Sequence, residues 1–167
     1  MQNILETDRL FLRELVLDDI DDLFEFFGDT EAMKYLPGTK NLNEIKEWLS
    51  LAFESYQRMS FGPWALILKG SNRFLGYCGL YLQNNVDGKD EIEILYGLIK
   101  RYWGLGYAAE AANGVYNYGK SELRLTRFIS LIAPDNHRSS KVAKKIGMHL
   151  EKETLMWGTN YHVYSID

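Results

Sequence analysis

The stretch that decides the fold reads Glu91-Ile-Glu-Ile-Leu-Tyr-Gly-Leu-Ile-Lys-Arg-Tyr-Trp-Gly-Leu-Gly-Tyr-Ala-Ala-Glu110. Glu91 to Ile99 has the composition of a strand. A short turn follows, holding Arg101, Gly104 and Gly106, and helical periodicity begins at once, from Gly106 to Gly119. Glycine lets a backbone turn tightly and approach a ligand closely. Consecutive N–H groups in such a turn, backed by a helix N-terminus, make a socket for an anion, and Arg101 adds a cation. The small side chains of Ala108, Ala109, Ala111 and Ala112 keep the helix surface thin beside the socket. The local chemistry points to a phosphate-bearing ligand.

On the N-terminal side, Arg9 to Arg13 reads as a first strand, Asp18 to Gly28 as a helix opened by acids, and Asn43 to Met59 as a longer amphipathic helix. Gly62 to Leu68, Phe74 to Leu82 and Glu91 to Ile99 read as three strands, with Asn84 to Lys89 as the turn between the last two. On the C-terminal side, Thr126 to Ala133 is apolar on both alternating sets, as a buried parallel-type strand is. A helix from Pro134-Asp135-Asn136 to Ile146 follows, with Asp135 or Asn136 as its cap and Gly147 as its stop. Met148 to Trp157 and Tyr161 to Ile166 read as closing strands. Strands dominate the middle and only the later part alternates, which predicts a mixed α/β (α+β) layer fold rather than a repeated βαβ wheel.

Composition narrows the function. The chain has 167 residues, which fits one domain over 1–167. With 19 Lys and Arg against 23 Asp and Glu, the net charge of −4 offers no broad basic field for nucleic acid. No apolar run approaches a membrane span, and Met1 to Arg9 has no signal-peptide core. One cysteine, Cys78, excludes an internal disulfide and a cysteine-built zinc site. The expected protein is cytoplasmic and reduced, with no metal, no nucleic-acid partner and no membrane.

Gly104-x-Gly106-x-x-Ala109 also fits a dinucleotide fingerprint, but the context disagrees. No acid stands about 20 residues on at the next strand's end, and too little chain follows for a second mononucleotide half. Arg101-x-x-Gly104-x-Gly106 after a strand resembles instead the acyl-CoA pyrophosphate loop of the GNAT N-acetyltransferase superfamily. Thr7-Asp-Arg-Leu-Phe-Leu-Arg-Glu-Leu15 resembles the opening strand of its RimJ/RimL-like branch (ribosomal-protein N-terminal acetyltransferases). Glu93-Ile-Leu-Tyr96 with Tyr102 to Ala111 resembles its central block, and Asn136-x-x-Ser139 through Met148 its closing helix.

The resemblance implies the GNAT fold: a mostly antiparallel sheet in which the strands Glu91 to Ile99 and Thr126 to Ala133 run parallel and splay. Acetyl-CoA would lie between them as co-substrate. Leu98 and Ile99 would meet its pantetheine arm. Arg101, Trp103, Gly104, Leu105, Gly106, Tyr107 and Ala108 would surround its pyrophosphate. Asn136 would hydrogen-bond the pantetheine or thioester region. The acceptor would be a primary amine, a protein N-terminus by branch resemblance, or else a polyamine or aminoglycoside. A non-catalytic acyl-CoA-binding module is the other reading, and a homodimer is compatible with either.

Acyl transfer needs a neutral amine. Deprotonating a lysine-type amine of pKa ~10.4 at neutral pH costs about 4.6 kcal/mol, and an α-amine of pKa ~7.7 about 1 kcal/mol. Glu93 is the candidate base, directly or through water, with a solvent-facing strand acid as the alternative; Glu91 is second. A main-chain N–H near Tyr96 to Leu98 is the candidate oxyanion donor. Family members often carry a tyrosine acid where this chain has Ala143, so Ser139 or Ser140 is the candidate donor toward sulfur. Phe61, Trp64 and Tyr96 are candidate acceptor-site residues. Asp18, Asp19, Asp21 and Asp22 read as a solvated helix start. His137, His149 and His162 lack metal spacing, and Cys78 reads as a small buried hydrophobe.

Overall fold

The computed structural model describes residues 3–167. Eight strands form one sheet: β1 (Asn3–Glu6), β2 (Leu10–Glu14), β3 (Pro63–Leu68), β4 (Arg73–Val86), β5 (Lys89–Leu98), β6 (Phe128–Ile132), β7 (His149–Met156) and β8 (Thr159–Ile166). Four helices flank it: α1 (Ile20–Phe27), α2 (Leu42–Met59), α3 (Tyr107–Ser121) and α4 (His137–Lys145). The strand order is β1-β2-β3-β4-β5-β6-β8-β7. Neighbours are antiparallel except β5 and β6, which run parallel and pair at Glu93 and Ile129. This is the expected mixed sheet with one parallel pair. No helix among the described residues is long and apolar enough to cross a membrane.

Strand parity sorts the faces. Trp64, Cys78 and Tyr96 lie side by side across β3, β4 and β5, as do Ala65, Tyr77 and Gly97. Side chains alternate along a strand, so each set shares a face. Tyr77 meets Phe26 of α1 at 5.3 Å and Trp48 of α2 at 5.1 Å. Trp64 meets Tyr118 of α3 edge-on at 5.5 Å. The Tyr96 hydroxyl donates to Ser139 O of α4. α1 and α2 therefore cover one face, α3 and α4 the other. A side chain at Gly97 would strike Phe26 and Tyr77 at 2.5 and 2.7 Å, so aromatic packing dictates the missing Cβ.

Local signals account for the element ends. Asn41 accepts from the N–H groups of Asn43 and Glu44, and Glu44 accepts in return from Asn41 N–H, a reciprocal cap for α2. Asn136, not Asp135, caps α4 by accepting from Ser139 N–H. The main differences from the sequence reading lie in β1, β4 and β5. β1 precedes the expected first strand; its ends are exposed and its centre half-buried, with no alternation, so it leaves little periodic trace. β4 and β5 run on to Val86 and from Lys89, leaving a turn of Asp87-Gly88. Polar Asn84 and Asn85 are exposed there, while Val86 is buried with Ile129, Met156 and Val163.

Asp19 corrects the solvated-acid reading. It is 4% exposed and receives both terminal nitrogens of Arg13, at 2.7 and 2.8 Å, and Val16 N–H at 2.9 Å. The pair ties β2 to the start of α1. Removing one partner strands a buried charge, so Asp19→Ala is expected to lower stability by about 3 kcal/mol in urea unfolding. An unchanged midpoint would contradict it.

Candidate active site

β5 runs into a 3-10 turn (100–102) and then a loop into α3. Gly104 and Gly106 adopt φ of +75° and +84°. Left-handed values of this kind cost a Cβ-bearing residue about 1–2 kcal/mol. Loop hydrogen bonds include Tyr102 N–H to Ile99 O and Trp103 N–H to Lys100 O, and resume with Glu110 N–H to Gly106 O. Among the described residues, the N–H groups of Gly104 to Ala109 have no acceptor. They surround the positive end of a 15-residue helix. Free N–H groups at a helix N-terminus have the chemistry that an anion-binding socket needs.

A clamp from the other end of the chain shapes the socket. Glu110 accepts from the Thr7 hydroxyl at 2.6 Å, Arg9 N–H at 2.8 Å and Arg9 Nε at 2.6 Å. Arg9 also donates to Leu105 O at 3.0 Å and lies over the Tyr107 ring at 4.4 Å. The turn Thr7-Asp8-Arg9 thus fixes both the loop and the first turn of α3. Burial would raise the Glu110 pKa, but the hydrogen bonds from Thr7 and Arg9 win and lower it.

Past Glu93 and Ile129, β5 and β6 part. Ile99 N–H donates to Leu75 O of β4 at 2.9 Å. Main-chain direction alternates along a strand, so Tyr96 and Leu98 turn their N–H groups toward the gap. Side chains fill part of it: Ser130 Oγ donates to Ile94 O, and Trp103 Nε1 to Leu98 O. A cavity of about 750 Å³ opens there, running from the glycine loop past Tyr96 to Glu93, Tyr81, Trp157 and Tyr161.

Glu93 sits where the strands part. It is 9% exposed, accepts from Gln83 Nε2 at 2.7 Å and Leu131 N–H at 3.1 Å, and lines the cavity. It is therefore no solvent-facing acid. Burial pushes its pKa up, and the two donors pull only partly back. A carboxyl so raised is closer to the working pH of a general base. Glu91 does not join it; Arg127 holds it at 3.0 Å, within a cluster containing Glu151 and Asp167, outside the cavity.

The other sequence-selected residues divide. Leu98, Trp103, Gly104, Gly106, Tyr107, Ala108, Asn136, Ser139 and Tyr96 line the cavity. Asn136 uses Oδ1 on Ser139 N–H, leaving its amide nitrogen for a ligand. Ser139 Oγ has no partner among the described residues, whereas Ser140 Oγ donates to His137 O. Phe61 and Trp64 are corrections: at 4% and 1% exposed they are core, and parity turns Trp64 toward α3. Arg101 is another, since its side chain pairs with Glu25 of α1 and lies outside the cavity lining. Ile99 is buried with its N–H committed, and the Leu105 side chain is exposed, leaving only its amide to the socket.

The cations that do line the cavity are Arg138, Lys141 and Lys145 of α4. Arg138 stacks on Trp103 at 3.7 Å. Their i, i+3, i+7 spacing was the available signal; it reads equally as a solvated helix face. Cys78 is buried, with its thiol pKa pushed up by burial. The described residues contain no group of three His, Cys, Asp or Glu arranged for a metal.

Comparison with known proteins agrees with this geometry. Residues 9–149 match the acetyltransferase (GNAT) domain family. The uncharacterized protein YkkB of Bacillus subtilis (strain 168) is 35% identical over 161 residues, covering 96% of this chain and 93% of YkkB. A GNAT-family acetyltransferase from Bacillus anthracis superposes with a TM-score of 0.82 at 25% identity, covering 99% of this chain and 98% of that one. RimL, a ribosomal L7/L12 alpha-N-protein acetyltransferase solved with coenzyme A, shares the fold at TM-score 0.82 and 16% identity, covering 99% and 97%.

The clamp carries a pH signature. Because the folded pKa of Glu110 lies below the ordinary 4.5, its contribution is present above that value and fades as pH falls through the folded pKa. Glu110→Gln is expected to lower Tm at pH 7 and to converge with the parent in acid, once the pH has fallen below the lowered pKa of Glu110. A gap that persists in acid would contradict the ionic clamp.

Proposed function

Starting from a chain that belongs to the GNAT acetyltransferase family and is an acyltransferase, we propose that it moves an acetyl group from acetyl-CoA to a primary amine, in the first place a protein N-terminal α-amine. The observation that carries the reading is the free amide run from Gly104 to Ala109 at the α3 N-terminus, opening into the β5–β6 gap. Amides and helix dipole suit a diphosphate, and Arg138, Lys141 and Lys145 supply further positive charge along the same wall. The gap beyond suits a pantetheine arm, with the Leu98 and Tyr96 amides and the Asn136 amide nitrogen as donors.

In this reading the amine attacks the thioester carbonyl carbon directly. The C–N bond forms, the C–S bond breaks, and the amine proton passes to Glu93, directly or through water. The Tyr96 or Leu98 N–H meets the negative charge developing on the carbonyl oxygen; one such donor is worth roughly 3–4 kcal/mol. Ser139 Oγ donates toward the departing sulfur, a role that Ala143, fully buried, cannot fill. The α-amine is favoured because it needs only about 1 kcal/mol of deprotonation, within reach of a single buried carboxylate. The Thr7–Leu15 block, whose turn clamps the loop, supports a RimJ/RimL-like placement.

Two substitutions test this. Gly104→Glu places a charge in the socket, and its φ of +75° adds strain, although the space around it is open. Calorimetry is expected to lose coenzyme A binding while circular dichroism stays unchanged; retained affinity would refute the socket. Glu93→Gln is expected to lower kcat by at least about 100-fold and to remove the acidic limb of the pH–rate profile. An unaltered profile would take Glu93 out of the chemistry.

A further inference from the structure

The cavity's charges are segregated. Among the described residues four charged side chains line it: Arg138, stacked on Trp103 of the glycine loop, Lys141 and Lys145 on the same helix α4, and Glu93 on the opposite face of the sheet. Around Glu93 the wall is apolar or aromatic apart from the neutral Gln83 amide, which is already committed to the carboxylate. Tyr81, Leu131 and Tyr161 stand near it, with Trp157 edge-on to Tyr161 at 5.6 Å. From α2, Leu51 completes the mouth at 53% exposure, and Trp157 is 66% exposed. Glu93 and the Tyr161 phenol are close enough for the carboxylate charge to raise the phenol pKa, after burial.

From this, and resting on the acetyltransferase reading, we propose that the acceptor carries a single positive charge, on its reacting amine, and an apolar or aromatic body. The one carboxylate of the compartment receives the one ammonium. A second ammonium on a polyamine or aminoglycoside would lose water against leucine and aromatic surface with no counter-charge, which is strongly unfavourable. The aromatic wall gives an apolar body large contact area. For a protein N-terminus, the same argument selects an apolar first side chain and rejects lysine or arginine there.

The test measures acetyl transfer by thiol release with phenethylamine, a leucine-initiated tetrapeptide, spermidine and kanamycin. The same amines are titrated calorimetrically into the coenzyme A complex. Phenethylamine and the peptide are expected to exceed spermidine and kanamycin by about 100-fold in kcat/KM. Leu51→Glu, on an exposed helix position, should narrow the phenethylamine-to-spermidine ratio by about 10-fold by adding a counter-charge at the mouth. Equal or better use of spermidine or kanamycin overturns the inference and leaves acetyl transfer standing. An unchanged ratio in Leu51→Glu also overturns it. If phenethylamine binds selectively but no amine releases thiol, acetyl transfer fails and the selectivity stands. If phenethylamine neither binds nor reacts, the inference fails.

Discussion

β5 and β6 are parallel neighbours that pair at Glu93 and Ile129 and then diverge. A fully zipped pair would leave no cavity and would consume the main-chain groups of Tyr96 and Leu98. Several side chains hold the strands apart: Ser130 on Ile94 O, Trp103 on Leu98 O, and Glu93 on Leu131 N–H. The last bond is central, because a side-chain carboxylate takes the place of a main-chain acceptor at the fork. Catalytic candidate and structural wedge are the same residue.

The two ends of the cleft are electrostatic opposites. Free amides, a helix N-terminus and Arg138 gather at one end, with Lys141 and Lys145 further along α4, and among the described residues a single buried carboxylate lines the other. The Thr7–Arg9 turn holds the positive end in shape through Glu110, although it lies about a hundred residues away in sequence. Packing of Phe26 and Tyr77 over Gly97 presses α1 and α2 onto the face where Glu93 emerges. Sheet, clamp and aromatic cluster therefore serve one geometry: free amides at one end of the cleft and a buried carboxylate at the other.

What the sequence revealed and what it hid divide along physical lines. Strand, glycine turn and helix between Glu91 and Glu110 are local, so their letters carried the socket. The α4 cap at Asn136 and the helical stripe of α2 are local too. Parity is not: whether Trp64 faces cavity or core depends on its register with Cys78, set by pairing across β3 and β4. Arg101 looked like the loop cation, but Glu25, from α1, takes its side chain. Arg138, Lys141 and Lys145 looked like a solvated face until the fold set α4 along the cleft. Trp157 and Tyr161 come from the last hairpin, reaching Glu93 only because β8 inserts between β6 and β7.

The central claim is that the amides from Gly104 to Ala108 point at a coenzyme's diphosphate. A crystal structure of the protein with coenzyme A measures this directly. The account predicts diphosphate oxygens within about 3 Å of at least two of those nitrogens, with the pantetheine between β5 and β6. A diphosphate bound elsewhere, with those amides turned to water or to neighbouring carbonyls, would contradict it.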